Sequence, residues 1–421
     1  MVAPLSIAIC GCGPAGLAAA CFLADGGHRV VLFERFATPH PIGAGLLLQP
    51  AGLAVLGRIG AADAARALGQ PITGFRGAMA PSGRPIFDLS YARLDPRLQA
   101  LGIHRAALFS VLWSAVEARG LQIETGAEIV DATAASDGRL QPVTATRHLP
   151  AFDLIVDASG AGSRLRRSAD PAPPRPYRYG AVWATVSNRG FAPEILAQRY
   201  VHAKRMIGVL PVGTLPGGAE PLATFFWSLK PADHDAFQAG GIAGWQAEVI
   251  RLWPETAPLV GQIDGFERLT LARYSQYTMR RPFAGRLVFI GDAAHSTSPQ
   301  LGAGVTMALL DGAALGDALR SCDTIEAALV AYAAARRRHV RFYQRMSRLL
   351  TPAFQSDWTV LARLRDAVMP RAGRIGWVDR RMMEMFAGLA LGPFSAARPE
   401  ALAFSAAPAA PAPHRRATTG P

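Results

Sequence analysis

Lysine is nearly absent from the chain. Lys204 and Lys230 are the only two among 44 basic residues, so arginine carries almost all of a formal net charge of +13 over 421 residues. A charge of that size can mark a nucleic-acid or anionic-membrane partner. A general bias towards arginine and alanine accounts for it better. No basic run interleaves with aromatics as a single-strand groove requires, so nucleic acid is not an expected partner.

Cysteine is scarce as well. Cys10, Cys12, Cys21 and Cys322 are the whole set, and no metal-ligand spacing joins them, so no metal is expected. Nothing argues for disulfides, which fits a reducing cytoplasm. No charged segment precedes an apolar core at the N-terminus, so no signal peptide is expected. No apolar run is long enough to span a bilayer. No Asp–His–Ser triad and no carboxylate pair is recognisable, and the sequence names no catalytic residue. Trp-x-Trp does not occur.

What the chain does have is concentrated at its start. Ser6 to Cys10 is a short apolar run that reads as a buried parallel strand. Gly11, Gly13 and Gly16 follow with the spacing G-x-G-x-x-G. The first permits a tight turn, the second lets backbone approach a pyrophosphate, and the third lets the next helix pack close to the strand. That helix is expected from Pro14 to Ala24, its free N–H groups aimed at phosphates. Gly26-Gly27 ends it, Arg29 to Phe33 is a second strand, and Glu34 closes that strand where a ribose needs a carboxylate. Strand, glycines, helix, strand and acid in order are the context the motif requires. Glu34 disfavours a 2′-phosphate, so the ligand is an FAD- or NAD-type dinucleotide. There is one such fingerprint and no second.

Small residues at Gly43 to Gly45 suggest backbone passing close to a flat ligand. His104-Arg105 precedes a clear helix, and Arg105 is either a surface charge or a phosphate clamp. Asp153 to Asp157 reads as another buried strand, leading to Ser159, Gly160 and Arg164. From Tyr177 to Leu229 the apolar–polar alternation reads as a mostly antiparallel sheet. Arg286 to Asp292 is a further strand-turn signal, and His295, after it, reads as a packed helix-start histidine. Long helices follow from Val305. A sheet unit between two strand-turn-helix segments implies one dinucleotide fold with an insertion, an α/β protein. The expected division is a dinucleotide-binding unit of residues 1–72, 100–170 and 280–350, and a substrate unit of 73–99 and 171–279. A helical region of 351–404 and a disordered tail of 405–421 complete it. In the helical region Trp358, Leu361, Leu364 and Val368 share one helix face. Packing of that face on the sheet is the expected arrangement; contact with an anionic membrane or an oligomer partner is its rival.

Three separated motifs, Gly11 to Gly16, Asp153 to Arg164 and Gly291 to Gly304, together resemble the para-hydroxybenzoate hydroxylase family of single-component FAD-dependent aromatic monooxygenases. The resemblance runs from Ile7 to about Leu350. It implies a Rossmann-type FAD-binding domain with an inserted antiparallel sheet domain. It implies FAD as resident cofactor, with NADH or NADPH as a transient reductant. With O2 these would hydroxylate a phenol-like or heteroaromatic small molecule through a flavin C4a-hydroperoxide. It implies contacts to FAD from Gly11, Gly13, Pro14, Ala15, Gly16, Glu34, Arg35, Gly45, Arg105, Val130 and Gly160. Asp292, Pro299, Gly302, Gly304, Val305 and Thr306 complete that set. Asp292 would meet the ribityl chain, Arg105 the pyrophosphate, and Gly302 to Thr306 the flavin ring. Arg164 would serve the site shared with the reductant. Pro299 would border a substrate cavity, for which Tyr179, Trp183 and Trp227 are the aromatic candidates. Two positions depart from the pattern: Ser159 stands where the family has Asp, and Thr306 where it often has Asn. Rival readings are a membrane-associated hydroxylase of a prenylquinone-type ring, a flavin reductase, a halogenase and a non-catalytic flavin-binding protein. Intact glycines and Asp292 oppose the last, and the missing Trp-x-Trp opposes the halogenase. A monomer or homodimer is expected.

Overall fold

The computed structural model describes residues 2–39 and 43–397. The expected tail of 405–421 lies outside the described residues. Ser6–Cys10 is the buried centre of a six-stranded sheet. Arg29–Glu34 and then Gln122–Thr125 lie on one side of it, Leu154–Asp157 and Leu287–Phe289 on the other, all parallel. Phe283–Ala284 adds an antiparallel edge. The apolar run Ile7 to Cys10 is buried on both faces, as parallel central strands require. Register sets Cys10 beside Phe33 and Asp157, so the Gly11 turn, Glu34 and the Asp157 turn share one carboxyl edge. Ligands of open α/β sheets bind at that edge.

Two helices cover one face of this sheet at close range. Pro14–Asp25 packs on Gly304–Ser321, and a Cβ on Gly312 would come within 2.8 Å of the Ala19 nitrogen. Only a residue without a side chain allows that approach.

The inserted sheet has seven strands in the order Thr270–Ala272, Gly180–Ser187, Leu222–Leu229, Arg205–Gly213, Ile195–Val201, Gly74–Met79, Pro85–Ser90. Every pairing is antiparallel except Ile195–Val201 with Gly74–Met79. One face buries Val182, Trp227 and Leu229 against Trp245 and Val249 of the Ile242–Leu252 helix. The opposite face meets the dinucleotide unit: the Gly45 N–H donates to Thr224 Oγ1 at 2.7 Å, and His104 Nε2 lies 3.2 Å from Thr185 Oγ1.

After the sheets come the helices Ile325–Phe354, Thr359–Ala372 and Gly376–Phe386, followed by the short strands Ala390–Gly392 and Ser395–Ala396. Here the sequence expectation fails. Trp358, Leu364 and Val368 are 68%, 57% and 48% exposed, whereas the inward side of the Thr359–Ala372 helix carries Ala362 and the buried pair Arg365–Asp366 at 2.6 Å. Arg365 also donates to the carbonyls of Ala353 and His202, which anchors the helix by its polar side and leaves the apolar stripe outside.

Candidate active site

The fingerprint turn is built for close approach. Gly11 has φ +104°, and a Cβ there would lie 2.7 Å from the Ala158 carbonyl oxygen; at Gly16 it would lie 2.0 Å from the Gly11 carbonyl oxygen. At Gly13, by contrast, a Cβ would meet nothing within 4 Å, so the backbone there faces open space. Pro14 opens the helix, Ala15 is buried beneath it, and no side chain caps its first N–H groups. They stay free for an anion. Glu34 is buried and accepts from the N–H of Cys12 at 2.9 Å and of Phe36 at 3.1 Å. A carboxylate has about four acceptor sites, so two remain for ribose hydroxyls. Burial, and then Glu34, push the Cys12 thiol up to about 12, so it stays protonated and inert. Arg35 is exposed, its guanidinium 4.6 Å from the Phe36 ring centre.

Arg105 and Asp292 define the next part of the cleft. Both keep accessible surface, yet enclosure dominates their electrostatics. Side chains that line a deep concavity behave in this way. Enclosure pushes the Asp292 carboxyl up, opposed by His295 and Arg105; it pushes the Arg105 guanidinium down, opposed by Asp292 and Tyr274. His104 sets Arg105 in place by capping the helix: its Nδ1 accepts from the Ala106 N–H at 3.2 Å. Gly43 gives Arg105 room, since a Cβ there would sit 3.1 Å from its Cδ and Nε. Tyr274, which the sequence reading did not single out, accepts from Trp183 Nε1 at 2.9 Å.

The third wall is the start of the Gly304–Ser321 helix. Pro299 opens a short 3-10 turn, Gly302 follows with φ +59°, and a Cβ on Gly304 would meet nothing within 4 Å. Ala303 caps the helix without a side-chain bond, leaving the N–H groups of Gly304 and partly buried Val305 free. Thr306 is spoken for: it is fully buried and its Oγ1 accepts from the Gln49 N–H at 3.2 Å. Gly45 is small because of the inserted sheet, where a Cβ would reach Val212 at 2.2 Å. The Val130 N–H donates to the Val143 carbonyl at 2.8 Å.

The middle motif is organised by Asp157. Its carboxylate accepts from the Ser159 hydroxyl at 2.6 Å, the Ser159 N–H at 2.9 Å, and the Ser163 hydroxyl. Burial pushes this carboxyl up and those bonds oppose it. Asp157 and Ser159 thus staple the turn that leaves Gly160 facing open space. Arg164 is exposed; Arg166 is the buried arginine, donating to the carbonyls of Ala293 at 3.2 Å and Ala161 at 2.8 Å.

A buried ionic network lies behind Asp292. Asp311 Oδ2 is 2.6 Å from His295 Nε2 and accepts the Gly291 N–H at 2.8 Å; Asp311 Oδ1 accepts Arg336 Nε at 2.7 Å. Arg336 Nη1 lies 2.9 Å from His339 Nδ1. Asp311 therefore holds the turn that aims Asp292. The one signal for it in the sequence is a lone acid in the apolar helical run Met307 to Leu315. Burial pushes His295 down, but the charge and hydrogen bond of Asp311 outweigh it, so His295 is raised above 6.5. His339 is pushed down to about 3 by burial and then Arg336, and stays neutral. A raised folded-state pKa stabilises fully below the unfolded value and is lost as pH rises through the folded one. Thermal stability should therefore fall as pH climbs from 6.5 through the raised value of His295. His295→Gln should flatten that limb of the Tm–pH profile; an unchanged slope would remove the imidazolium–Asp311 pair from the account.

Of the aromatic candidates, Trp183 faces the cleft side, paired with Phe226 at a ring separation of 5.8 Å. Trp227 is a correction. Neighbouring strand residues point to opposite faces, and Trp227 is buried against Trp245 on the far side of the sheet. Tyr179 is buried, its hydroxyl donating to Asp357 at 2.9 Å beside Lys230. Among the described residues no cluster of His, Cys, Asp and Glu could hold a metal ion, and no helix is long and apolar enough to cross a membrane.

The family model described as "FAD binding domain" matches residues 5–346. The chain belongs to the para-hydroxybenzoate hydroxylase-like family of FAD-dependent aromatic monooxygenases. It is similar to 3-hydroxy-4-methyl-anthranilyl-[aryl-carrier protein] 5-monooxygenase of Streptosporangium sibiricum, 30% identical over 89% of this chain and 96% of the relative. It is similar to the aurachin C monooxygenase/isomerase of Stigmatella aurantiaca, 27% identical over 79% and 85%. In fold it matches Klebsiella pneumoniae HpxO, solved with FAD and uric acid, with TM-score 0.78 at 21% identity over 93% of this chain and 98% of that one. The enzyme is an FAD-dependent monooxygenase that hydroxylates a small aromatic or heteroaromatic molecule, with NAD(P)H as the family's reductant.

Proposed function

We propose that FAD lies along the cleft from Glu34 to Gly304 and that an electron-rich ring binds between Pro299 and the Trp183–Phe226 face. The observation that carries this is the pair Arg105 and Asp292, accessible yet enclosed, between two uncapped helix starts. Glu34 would hold the adenine ribose, the Gly13 turn and Arg105 the pyrophosphate, and Asp292 the ribityl hydroxyls. Bound FAD supplies the redox chemistry and O2 activation. The Gly304 helix start favours negative charge on the ring system it faces. The inserted sheet keeps water from the reacting atoms, and Tyr274 and Trp183 fix one wall. Residues 1–72, 100–170 and 280–350 form the FAD unit, and 73–99 with 171–279 the substrate unit. NADH or NADPH binds transiently, because there is one dinucleotide fingerprint. A cytoplasmic monomer or homodimer fits this assignment.

Acid precipitation of the purified protein should release all its flavin as FAD into the supernatant; yellow colour retained in the pellet would contradict non-covalent binding. A panel of phenols and nitrogen heteroaromatics should contain compounds that accelerate NAD(P)H oxidation. No acceleration by any ring compound would count against the substrate assignment.

A further inference from the structure

The Thr359–Ala372 helix is amphipathic the wrong way round for a packed helix. Its outward stripe, spaced i, i+3, i+4, i+7, i+8, i+11, reads Val360, Arg363, Leu364, Ala367, Val368, Arg371, and all six are exposed. The inward side holds an ion pair instead. Just past the helix end Ile375 and Trp377 are 56% and 55% exposed, and Trp377 stacks on exposed Phe394 at 5.9 Å. Large apolar side chains this exposed, gathered in one stretch, mark an interaction surface.

The charge of this surface selects the partner. Arg363, Arg371 and Arg374 are exposed, and none has an acidic partner among the described residues. The acids of the region are all taken: Asp357 by Lys230, Asp366 by Arg365, Asp379 by Arg93, and Glu384 by Arg380 and Arg381. A second copy docked through this face would set arginines against arginines. Residues 398–421 carry Arg398, Arg415 and Arg416 against Glu400 alone, so they offer no complement either. Tryptophan, aliphatic side chains and arginine exposed along one short stretch are the composition that lies at a lipid headgroup boundary, apolar parts inward and guanidinium groups on phosphates.

We infer that the exposed face of residues 358–377 docks this enzyme on an anionic bilayer, lying on the surface without crossing it. Docking through this face does not depend on the redox assignment. Met369 of the same helix packs against the cluster that includes Phe354, Tyr200 and Phe226, and Trp183 packs against that same cluster. The docked face is thus one helix away from the proposed ring-binding wall.

The test is co-sedimentation of the FAD-loaded full chain with vesicles of phosphatidylcholine alone or mixed with phosphatidylglycerol. Binding is expected to the mixed vesicles only, and to weaken in high salt. Leu364→Glu/Val368→Glu should weaken it on the order of tenfold or more while FAD content and NAD(P)H oxidation stay unchanged, because both positions face solvent. Absence of binding, equal binding to neutral vesicles, or undiminished binding by the double variant would each overturn the inference. So would sedimentation velocity showing a dimer of the parent chain that the double variant abolishes, which would give the face to a second copy.

Discussion

Replacing Arg105 with alanine should weaken FAD binding by about one to two orders of magnitude while leaving the fold intact. A charged hydrogen bond to a phosphate contributes roughly 1.5–3 kcal/mol, and each 1.4 kcal/mol is a factor of ten in Kd. Arg105 stands at the start of its helix with no ion pair among the described residues, held by the His104 cap and by the space that Gly43 leaves. A guanidinium lining the cleft without a carboxylate in contact among the described residues is an unmet charge, which a pyrophosphate would meet bidentately. Arg105→Lys should recover part of the affinity, since an ammonium supplies the charge without the fork. Fluorescence titration of the apoprotein with FAD measures both variants. Unchanged affinity in Arg105→Ala would place the pyrophosphate elsewhere.

The second large effect is expected at Asp311. Asp311→Ala removes one carboxylate from three donors at once: His295, Arg336 and the Gly291 N–H. Leaving a buried charge unpaired costs roughly 3–5 kcal/mol. Over 421 residues, with an unfolding entropy of about 2.1 cal/mol/K per residue, that corresponds to a fall in Tm of about 3–6 °C. Asp311→Leu/Arg336→Met, which removes the carboxylate and the guanidinium and lets His295 lose its proton, is expected to be less damaging than Asp311→Ala alone. FAD affinity should fall in both variants, because Asp311 also fixes the turn that presents Asp292. If the double variant is the less stable of the two, the network stabilises through packing and not through charge pairing.

These two sites differ in how far the sequence discloses them. The place of Arg105 at a helix start is legible from the apolar period that follows it. The parallel sheet is legible too: continuous apolar strands, glycines and a terminal acid follow in fixed order. Asp311 is not, because its partners come from the Gly291 turn and the Ile325–Phe354 helix, and no local pattern pairs a lone helical acid with an arginine 25 residues later. Tyr274 and Arg166 are hidden in the same way, being defined by contacts across elements. Trp227 shows the other failure. Alternation places Trp227 and Phe226 on opposite faces, but it does not say which face meets the cleft, and the helix Ile242–Leu252 decides that. The Thr359–Ala372 helix shows a third. Its apolar period is real, yet period alone does not say whether a stripe points in or out, and the buried Arg365–Asp366 pair turned it out.

The central claim is that the cleft carries FAD and delivers oxygen to an aromatic ring. It is tested most directly by turnover of the FAD-loaded enzyme with NAD(P)H and the best ring compound under isotopically heavy O2. The account predicts a product carrying one heavy oxygen per NAD(P)H consumed, with flavin reduction faster when the ring compound is present than when it is absent. Equal reduction rates, with all the reductant recovered as hydrogen peroxide and no label in the ring compound, would contradict it.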